Sequence, residues 1–123
     1  MNKYRNRKTI RNGIQYDSVK ESRRHAELLL LERAGEISEL DRQVRFVLVP
    51  AQYEPDIIGP KGGTKRGKLI EREVAYVADF VYKQNGKLVV EDVKGYKGGG
   101  AYAVFRIKKK LMLYVQKITV KEV

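Results

Sequence analysis

Apolar residues along this chain recur at two spacings, and each spacing predicts a different element. From Ser18 to Ala34 the pattern is helical: Ser18 followed by Glu21 has the form of a capping box, Ala26 and Leu28 to Leu31 supply the apolar positions, and Gly35 ends the run. Gln43 to Val49 is rich in valine and phenylalanine and stops at Pro50, which predicts a strand. Glu73 to Tyr82 predicts a second strand, with Val74, Tyr76, Ala78, Phe80 and Tyr82 on one face and Ala75, Val77, Asp79 and Val81 on the other. A third runs from Leu88 to Lys94, and the intervening Asn85-Gly86 is the preferred pair for a type I′ turn. The helical spacing returns from about Tyr102 to Tyr114, where Val104, Phe105, Ile107, Leu111 and Met112 are placed to face a sheet, and Ile118 to Val123 closes as a short strand.

The resulting order, αβββαβ, predicts an α/β domain whose mixed central sheet is flanked by helices. Two glycine-rich segments, Gly59 to Lys68 and the run after Gly95, read as loops. Residues 1–15 carry Lys3, Arg5, Arg7, Lys8 and Arg11 with little apolar content, so a basic flexible arm is expected ahead of a single domain over residues 16–123.

Charge narrows the class of partner. The 123 residues include 26 Lys and Arg against 15 Asp and Glu, a net charge of +11, which suits a polyanion such as nucleic acid. Cysteine is absent and His25 is the single histidine, which excludes disulfides, thiolate sites and histidine-rich zinc sites. Any bound metal then rests on carboxylates and is a hard ion such as Mg²⁺ or Mn²⁺. No apolar run is long enough for a membrane span and the N-terminus lacks a signal-peptide pattern, so a cytoplasmic protein without membrane contact is expected.

The hairpin around Asn85-Gly86 can be registered from the sequence alone. If those two residues form the turn, Gln84 faces Lys87, and continuing the pairing sets Asp79 opposite Asp92. Two like charges so placed repel unless something compensates them, and a divalent cation is the obvious compensation. Lys94 lies two residues beyond Asp92 on the same face, whereas Glu91 and Val93 point the other way. A cation held by two carboxylates beside an ammonium group is suited to polarising a phosphodiester and activating water. Paired surface carboxylates neutralised by nearby lysines are the structural alternative.

Asp79, followed across the hairpin by Asp92-Val93-Lys94, resembles the PD-(D/E)XK signature of restriction-endonuclease-like nucleases, and the order αβββαβ is similar to that superfamily's core. The segments YDSVKE, YVADFVY and VVEDVKGY look like those of a small phage-associated family within it, a resemblance that extends over nearly the whole chain from Tyr16. It implies a restriction-endonuclease-like core and a Mg²⁺-dependent (or Mn²⁺-dependent) DNA endonuclease. In that reading Asp79 and Asp92 are the metal ligands, Lys94 is the catalytic lysine, and Glu21 on the first helix is a further catalytic carboxylate. Ala78 stands where the motif has proline, and aspartate rather than glutamate fills the second acidic position. Similarity to Holliday-junction-resolvase-type enzymes further implies a homodimer acting on branched DNA and, for a phage protein, a location in the bacterial host cell. The short chain favours structure-selective over strongly sequence-selective cleavage. A nicking or end-processing nuclease, and an inactive nucleic-acid-binding protein of the same fold, are the rival expectations.

The candidate phosphate contacts are Arg106, Lys108 and Lys109 on the basic helix, Lys97 in the second glycine-rich loop, and Lys65 and Arg66 in the first. A solvated cationic face is their alternative reading. Tyr96 and Tyr102 flank the second loop and are placed either to stack on an unpaired base or to pack in the core. Glu21 is explained equally by helix capping. His25 and Gln43 read as structural or exposed residues rather than as parts of a site.

Overall fold

An Asn-Gly pair occurs twice in the chain and builds the same reversal both times. Asn12 and Gly13 have φ of 52° and 77°, and Asn85 and Gly86 have 54° and 74°, the left-handed pair that a type I′ turn requires. The first joins β1 (Thr9–Arg11) to β2 (Ile14–Tyr16), which are antiparallel. The computed structural model describes residues 8–95 and 97–123. Where it is described, the segment expected to be a flexible arm is therefore a hairpin, anchored at its end by the buried Tyr16; Lys3, Arg5 and Arg7 lie outside the described residues.

Helix α1 (Val19–Arg33) begins and ends as its capping residues dictate. Ser18 Oγ accepts a hydrogen bond from the Glu21 amide at 3.1 Å, satisfying one of the donors that a helix start leaves open. At the other end Gly35 adopts φ 80°, its amide bonds to the Glu32 carbonyl at 3.0 Å, and the Glu36 amide bonds to that of Leu31 at 2.9 Å, the paired closure of a Schellman motif. The buried face is Glu21, Ser22, His25 and Leu28. Leu29 and Leu30 are exposed, because consecutive helical residues are rotated by about 100° and four leucines in a row cannot share a face.

The remaining elements are β3 (Ser38–Val49), β4 (Gln52–Tyr53), β5 (Ile57–Ile58), β6 (Thr64–Lys65), β7 (Leu69–Glu71), β8 (Val74–Gln84), β9 (Lys87–Asp92), α2 (Gly99–Leu111), a π turn at Met112–Gln116, and β10 (Lys121–Glu122). Four of them form the main sheet in the order β10-β9-β8-β3, with β3, β8 and β9 antiparallel and β10 parallel to β9. The protein is thus mixed α/β, with a mostly antiparallel sheet and two helices. Leu28 of α1 packs with Ile37, Phe80 and Tyr82 on one face, while Phe105 of α2 packs with Val81, Val90, Met112 and Val120 on the other. The segment from Gly59 to Lys68 is not an open loop. Its Thr64–Lys65 portion, β6, pairs with β5 just before it, and β4 pairs with β7, so an arm of paired strands stands between β3 and β8. No helix among the described residues is long and apolar enough to cross a membrane.

Strict alternation fails at one point of the main sheet. Tyr76 and Ala78 belong to the cluster with Phe105, yet Phe80 and Tyr82 belong to the cluster with Leu28. The neighbouring strand does the same: Val44, Phe46 and Leu48 pack toward Phe105, and Leu40 toward Leu28. Pairing continues from Val44↔Ala78 to Arg42↔Phe80 and passes over Gln43 and Asp79 between them. Gln43 carries φ of 53°, a left-handed conformation that costs an ordinary residue roughly 1–2 kcal/mol. The two strands change face together there, so Val74, Tyr76 and Ala78 do not share a side with Phe80 and Tyr82 as alternation predicts.

Burial of one leucine of α1 and exposure of another makes a direct test of this packing. Leu28→Ala should destabilise the fold by about 2–5 kcal/mol, whereas Leu30→Ala should change it by less than about 0.5 kcal/mol, both read from urea unfolding midpoints.

Candidate active site

The registered hairpin holds as the sequence predicts: Gln84 pairs with Lys87, and the ladder runs to Phe80↔Glu91. One rung further, where Asp79 and Asp92 would face each other, the strands part. On its outer edge β9 stays paired, since the Val123 amide bonds to the Asp92 carbonyl at 2.9 Å and the Lys94 amide to the Val123 carbonyl at 2.9 Å. On its inner edge the Val93 amide has no carbonyl of β8 to meet, and the Asp79 carboxylate accepts it at 2.8 Å. Asp79 therefore reaches across the split rather than standing off one face.

Asp92 and Lys94 point to the side of α2. Lys94 Nζ lies 2.8 Å from Asp92 Oδ1 and 3.6 Å from the centre of the Phe105 ring. Tyr76 Oη donates to Asp92 Oδ2 at 2.6 Å, and burial together with the adjacent Asp92 charge pushes the Tyr76 phenol well above its ordinary range. The structure thus brings Asp79, Asp92 and Lys94 to one place. Burial first, and then the negative charges of Asp92 and Glu21, raise the Asp79 carboxyl to about 7, against the opposing Val93 and Gln43 hydrogen bonds.

Glu21 is buried and acts as more than a cap. Its Oε2 accepts the Asp17 amide at 3.1 Å, while Oε1 meets Gln43 Nε2 at 3.1 Å and an Arg42 guanidinium nitrogen at 3.3 Å. Gln43 also reaches Asp79 Oδ1 at 3.3 Å. Its amide therefore bridges Glu21 to Asp79 from the residue that breaks the strand alternation. Gln15, Asp17, Glu21, Arg42 and Gln43 line a cavity of about 260 Å³ beside this bridge. Nε of Arg42 is buried without a hydrogen-bond partner there, and its guanidinium sits 4.5 Å over the Tyr16 ring.

Glu91 is excluded from the site, as the register implies. It lies on the α1 side, held by Arg24 through Nε–Oε1 at 2.8 Å and NH2–Oε2 at 2.7 Å, and by the Tyr82 hydroxyl. Burial alone would push its carboxyl up, but the Arg24 and Tyr82 hydrogen bonds hold it below the usual carboxylate range. His25 is likewise structural. It is buried, its Nδ1 lies 2.6 Å from the Tyr16 hydroxyl, its ring stacks on Phe80, and burial and Arg42 lower its affinity for a proton.

Tyr76 and Gln43 are the site residues that the sequence pattern leaves out. Alternation sends Tyr76 to the face opposite Asp92, and only the change of face brings it alongside. Of the expected phosphate contacts, Lys109 is engaged with Glu122 Oε2 at 2.7 Å and Lys97 approaches Glu122 Oε1 at 3.8 Å, whereas Arg106 is exposed on α2 and Lys65 and Arg66 on the arm. Tyr102 donates to Glu122 at 2.9 Å and packs against Phe105, which favours packing over base stacking; Tyr96 lies outside the described residues. Lys20, Arg23, Arg24 and Lys121, with Glu27, Val93 and Val123, line a second cavity of about 360 Å³, and Lys20 Nζ donates to the Lys94 carbonyl at 2.5 Å. Cations thus lie around Val93 as well as on α2.

A divalent cation fits this arrangement chemically. Among the described residues no group of three metal-ligating side chains is drawn together, but Mg²⁺ commonly uses one or two carboxylates and keeps waters for its remaining positions. A cation would also offset the burial and the neighbouring negative charge that together raise Asp79.

Two outcomes follow. An Asp79 carboxyl near 7 in the folded chain and near 4 in the unfolded one binds its proton more tightly when folded. Its contribution to metal-free stability is therefore full below about 4 and lost as pH rises through about 7, while His25, with its lowered proton affinity, contributes in the opposite direction. In chelator, the native protein should lose melting temperature relative to Asp79→Asn between pH 5 and 8, and millimolar Mg²⁺ should restore it in the native protein only; parallel curves would count against the crowded carboxylates. Glu91→Ala should cost about 1–3 kcal/mol by leaving the buried Tyr82 hydroxyl without its acceptor while Arg24 keeps Glu27, measured by denaturant unfolding.

Comparison with known proteins adds a family and no activity. No curated protein and no solved structure matches the chain. The family model described as "Protein of unknown function (DUF1064)" matches residues 1–121, and the chain belongs to that family.

Proposed function

We propose that this protein is a Mg²⁺-dependent DNA endonuclease of the restriction-endonuclease-like kind, acting on structurally distinguished DNA such as branched junctions. The observation that carries the reading is the gathering of Asp79, Asp92 and Lys94 at the split between β8 and β9. The order of elements around it supports the same reading, since a helix, an antiparallel three-strand meander, a second helix and a parallel strand follow the resemblance noted in the sequence.

Asp79 and Asp92 would hold the cation, each with one carboxylate oxygen already oriented by Val93 or Tyr76. When bound, it would supply Lewis-acid polarisation of the phosphodiester and lower the proton affinity of a water. Lys94 is placed to set a phosphate oxygen or the attacking water against that centre, and its ammonium offsets negative charge gathering on phosphorus. The Phe105 ring confines the lysine on one side. Gln43 fixes the distance between Glu21 and Asp79, so that Glu21 shapes the field at the site without leaving its helix. The +11 charge then draws the polyanion in and makes affinity fall with salt.

Supercoiled plasmid, linear duplex and a four-way junction incubated with the purified chain should be cleaved in Mg²⁺ or Mn²⁺ and protected by EDTA, with the junction cut fastest. Asp79→Asn, Asp92→Asn and Lys94→Ala should each lower the rate by about 100-fold or more while leaving DNA affinity within a few-fold, in line with removal of groups that act on the transition state. Cleavage at the native rate by these variants, or binding without cleavage in every metal, would overturn the assignment.

A further inference from the structure

The arm between β3 and β8 takes no part in the site just described, and its surface is unusual for a segment with so much pairing. From Gln52 to Val74 every residue except Gly59 and Gly67 is exposed. That includes Tyr53, Ile57, Leu69 and Ile70, and Ile58 with 81% of its surface open. The arm is nevertheless built. β4 pairs with β7 and β5 with β6, the Glu54 amide bonds to the Lys68 carbonyl at 2.7 Å, and Gly59 and Gly63 close the tip at 2.7 Å. Gly67 is pressed so closely onto the opposing limb that a Cβ there would lie 2.2 Å from the Glu54 carbonyl oxygen.

Beyond Asp56 the arm is purely cationic: residues 57–68 hold Lys61, Lys65, Arg66 and Lys68 with no carboxylate among them. Lys61 and Lys65 lie on its outer part with β5 and β6, Lys68 lies across from Glu54, and Glu71, Arg72 and Glu73 stand at the base. Arg66 lies 4.5 Å over the Tyr53 ring, and Arg45 of β3 pairs with Glu73 where the arm leaves the sheet.

We propose that this arm is a groove-entering ribbon for duplex DNA, with Lys61, Lys65, Arg66 and Lys68 on phosphates and Ile57 and Ile58 against the bases; the choice of DNA rests on the nuclease reading above. A two-stranded ribbon fits the major groove of B-form DNA, about 12 Å wide, while the corresponding groove of an RNA duplex is too deep and narrow to admit it. Cationic residues along the ribbon are complementary to the phosphate walls of that groove, and the exposed isoleucines suit the thymine methyl groups on its floor. The same arm would meet a neutral protein surface with four cations left unneutralised.

The experiment uses the full chain and a fluorescently labelled 20-base-pair DNA duplex in EDTA, with anisotropy followed over a range of salt. Combined Lys61→Ala, Lys65→Ala, Arg66→Ala and Lys68→Ala should weaken binding by about tenfold or more and shrink the log–log salt slope by about 3. Combined Ile57→Ser and Ile58→Ser should weaken it by roughly three- to tenfold with the slope unchanged, and should leave binding to an RNA duplex of the same sequence unaltered. Circular dichroism confirms that each variant is folded. Native affinity and slope in either variant, or no duplex binding by the native chain, overturns the proposal. The two readings separate cleanly: cleavage by the native chain with binding undiminished in the arm variants removes the ribbon and keeps the nuclease, and weakened binding in the arm variants of a chain that never cleaves removes the nuclease and keeps the ribbon.

Discussion

One hydrogen bond organises the end of this sheet where β8 and β9 part: the Asp79 carboxylate accepts the Val93 amide where a backbone carbonyl of β8 would otherwise stand. A buried amide left without an acceptor would cost about 1–3 kcal/mol, so strands that separate there must supply a substitute. A side chain performs that role only if it lies near the plane of the sheet, and that orientation keeps Asp79 between the two faces. The left-handed backbone of Gln43 on the neighbouring strand accompanies it. Together they let β3 and β8 exchange faces without losing register.

The electrostatic consequence is a local surplus of negative charge. Asp79 sits near Asp92 and Glu21, and the donors assigned to them are spread over Val93, Tyr76, Lys94, Gln43 and Arg42. Asp79 itself is held by two neutral donors, Val93 and Gln43, which do not outweigh its burial and the adjacent charges of Asp92 and Glu21, so its proton affinity stays raised. Adjacent residues show how decisively facing matters. Glu91 and Asp92 are consecutive, yet the first is neutralised by Arg24 beneath α1 and the second is paired with Lys94 beneath α2.

Cationic surface is distributed in a way that complements this acidic centre. Lys20, Arg23 and Lys121 gather around Val93, Arg106 lies along α2, and the arm carries four cations between Lys61 and Lys68. Under the proposed reading, charge spread this widely would orient an extended polyanion with respect to the site, since phosphate contacts set register and direction while carrying little sequence information.

The sequence by itself determined the order αβββαβ of the main elements, the Asn85-Gly86 turn, the caps of α1 and the hairpin register to Phe80↔Glu91, because each depends on residues close in the chain and on a fixed spatial period. It also determined that Asp92 and Lys94 share a face and that Glu91 does not. The tertiary structure alone decided the change of face at Gln43 and Asp79: the even-numbered residues of β8 from Val74 to Tyr82 are apolar or aromatic without a break, and the one interruption on β3 between Leu40 and Leu48, Arg42, does not by itself distinguish a turnover from an exposed cation. Gln43 as a bridge, Tyr76 as the partner of Asp92, and the pairing of the glycine-rich segment into an arm depend on that turnover or on contacts between distant residues. Such contacts are set by how whole strands pack against two helices, and no local period of the sequence encodes them.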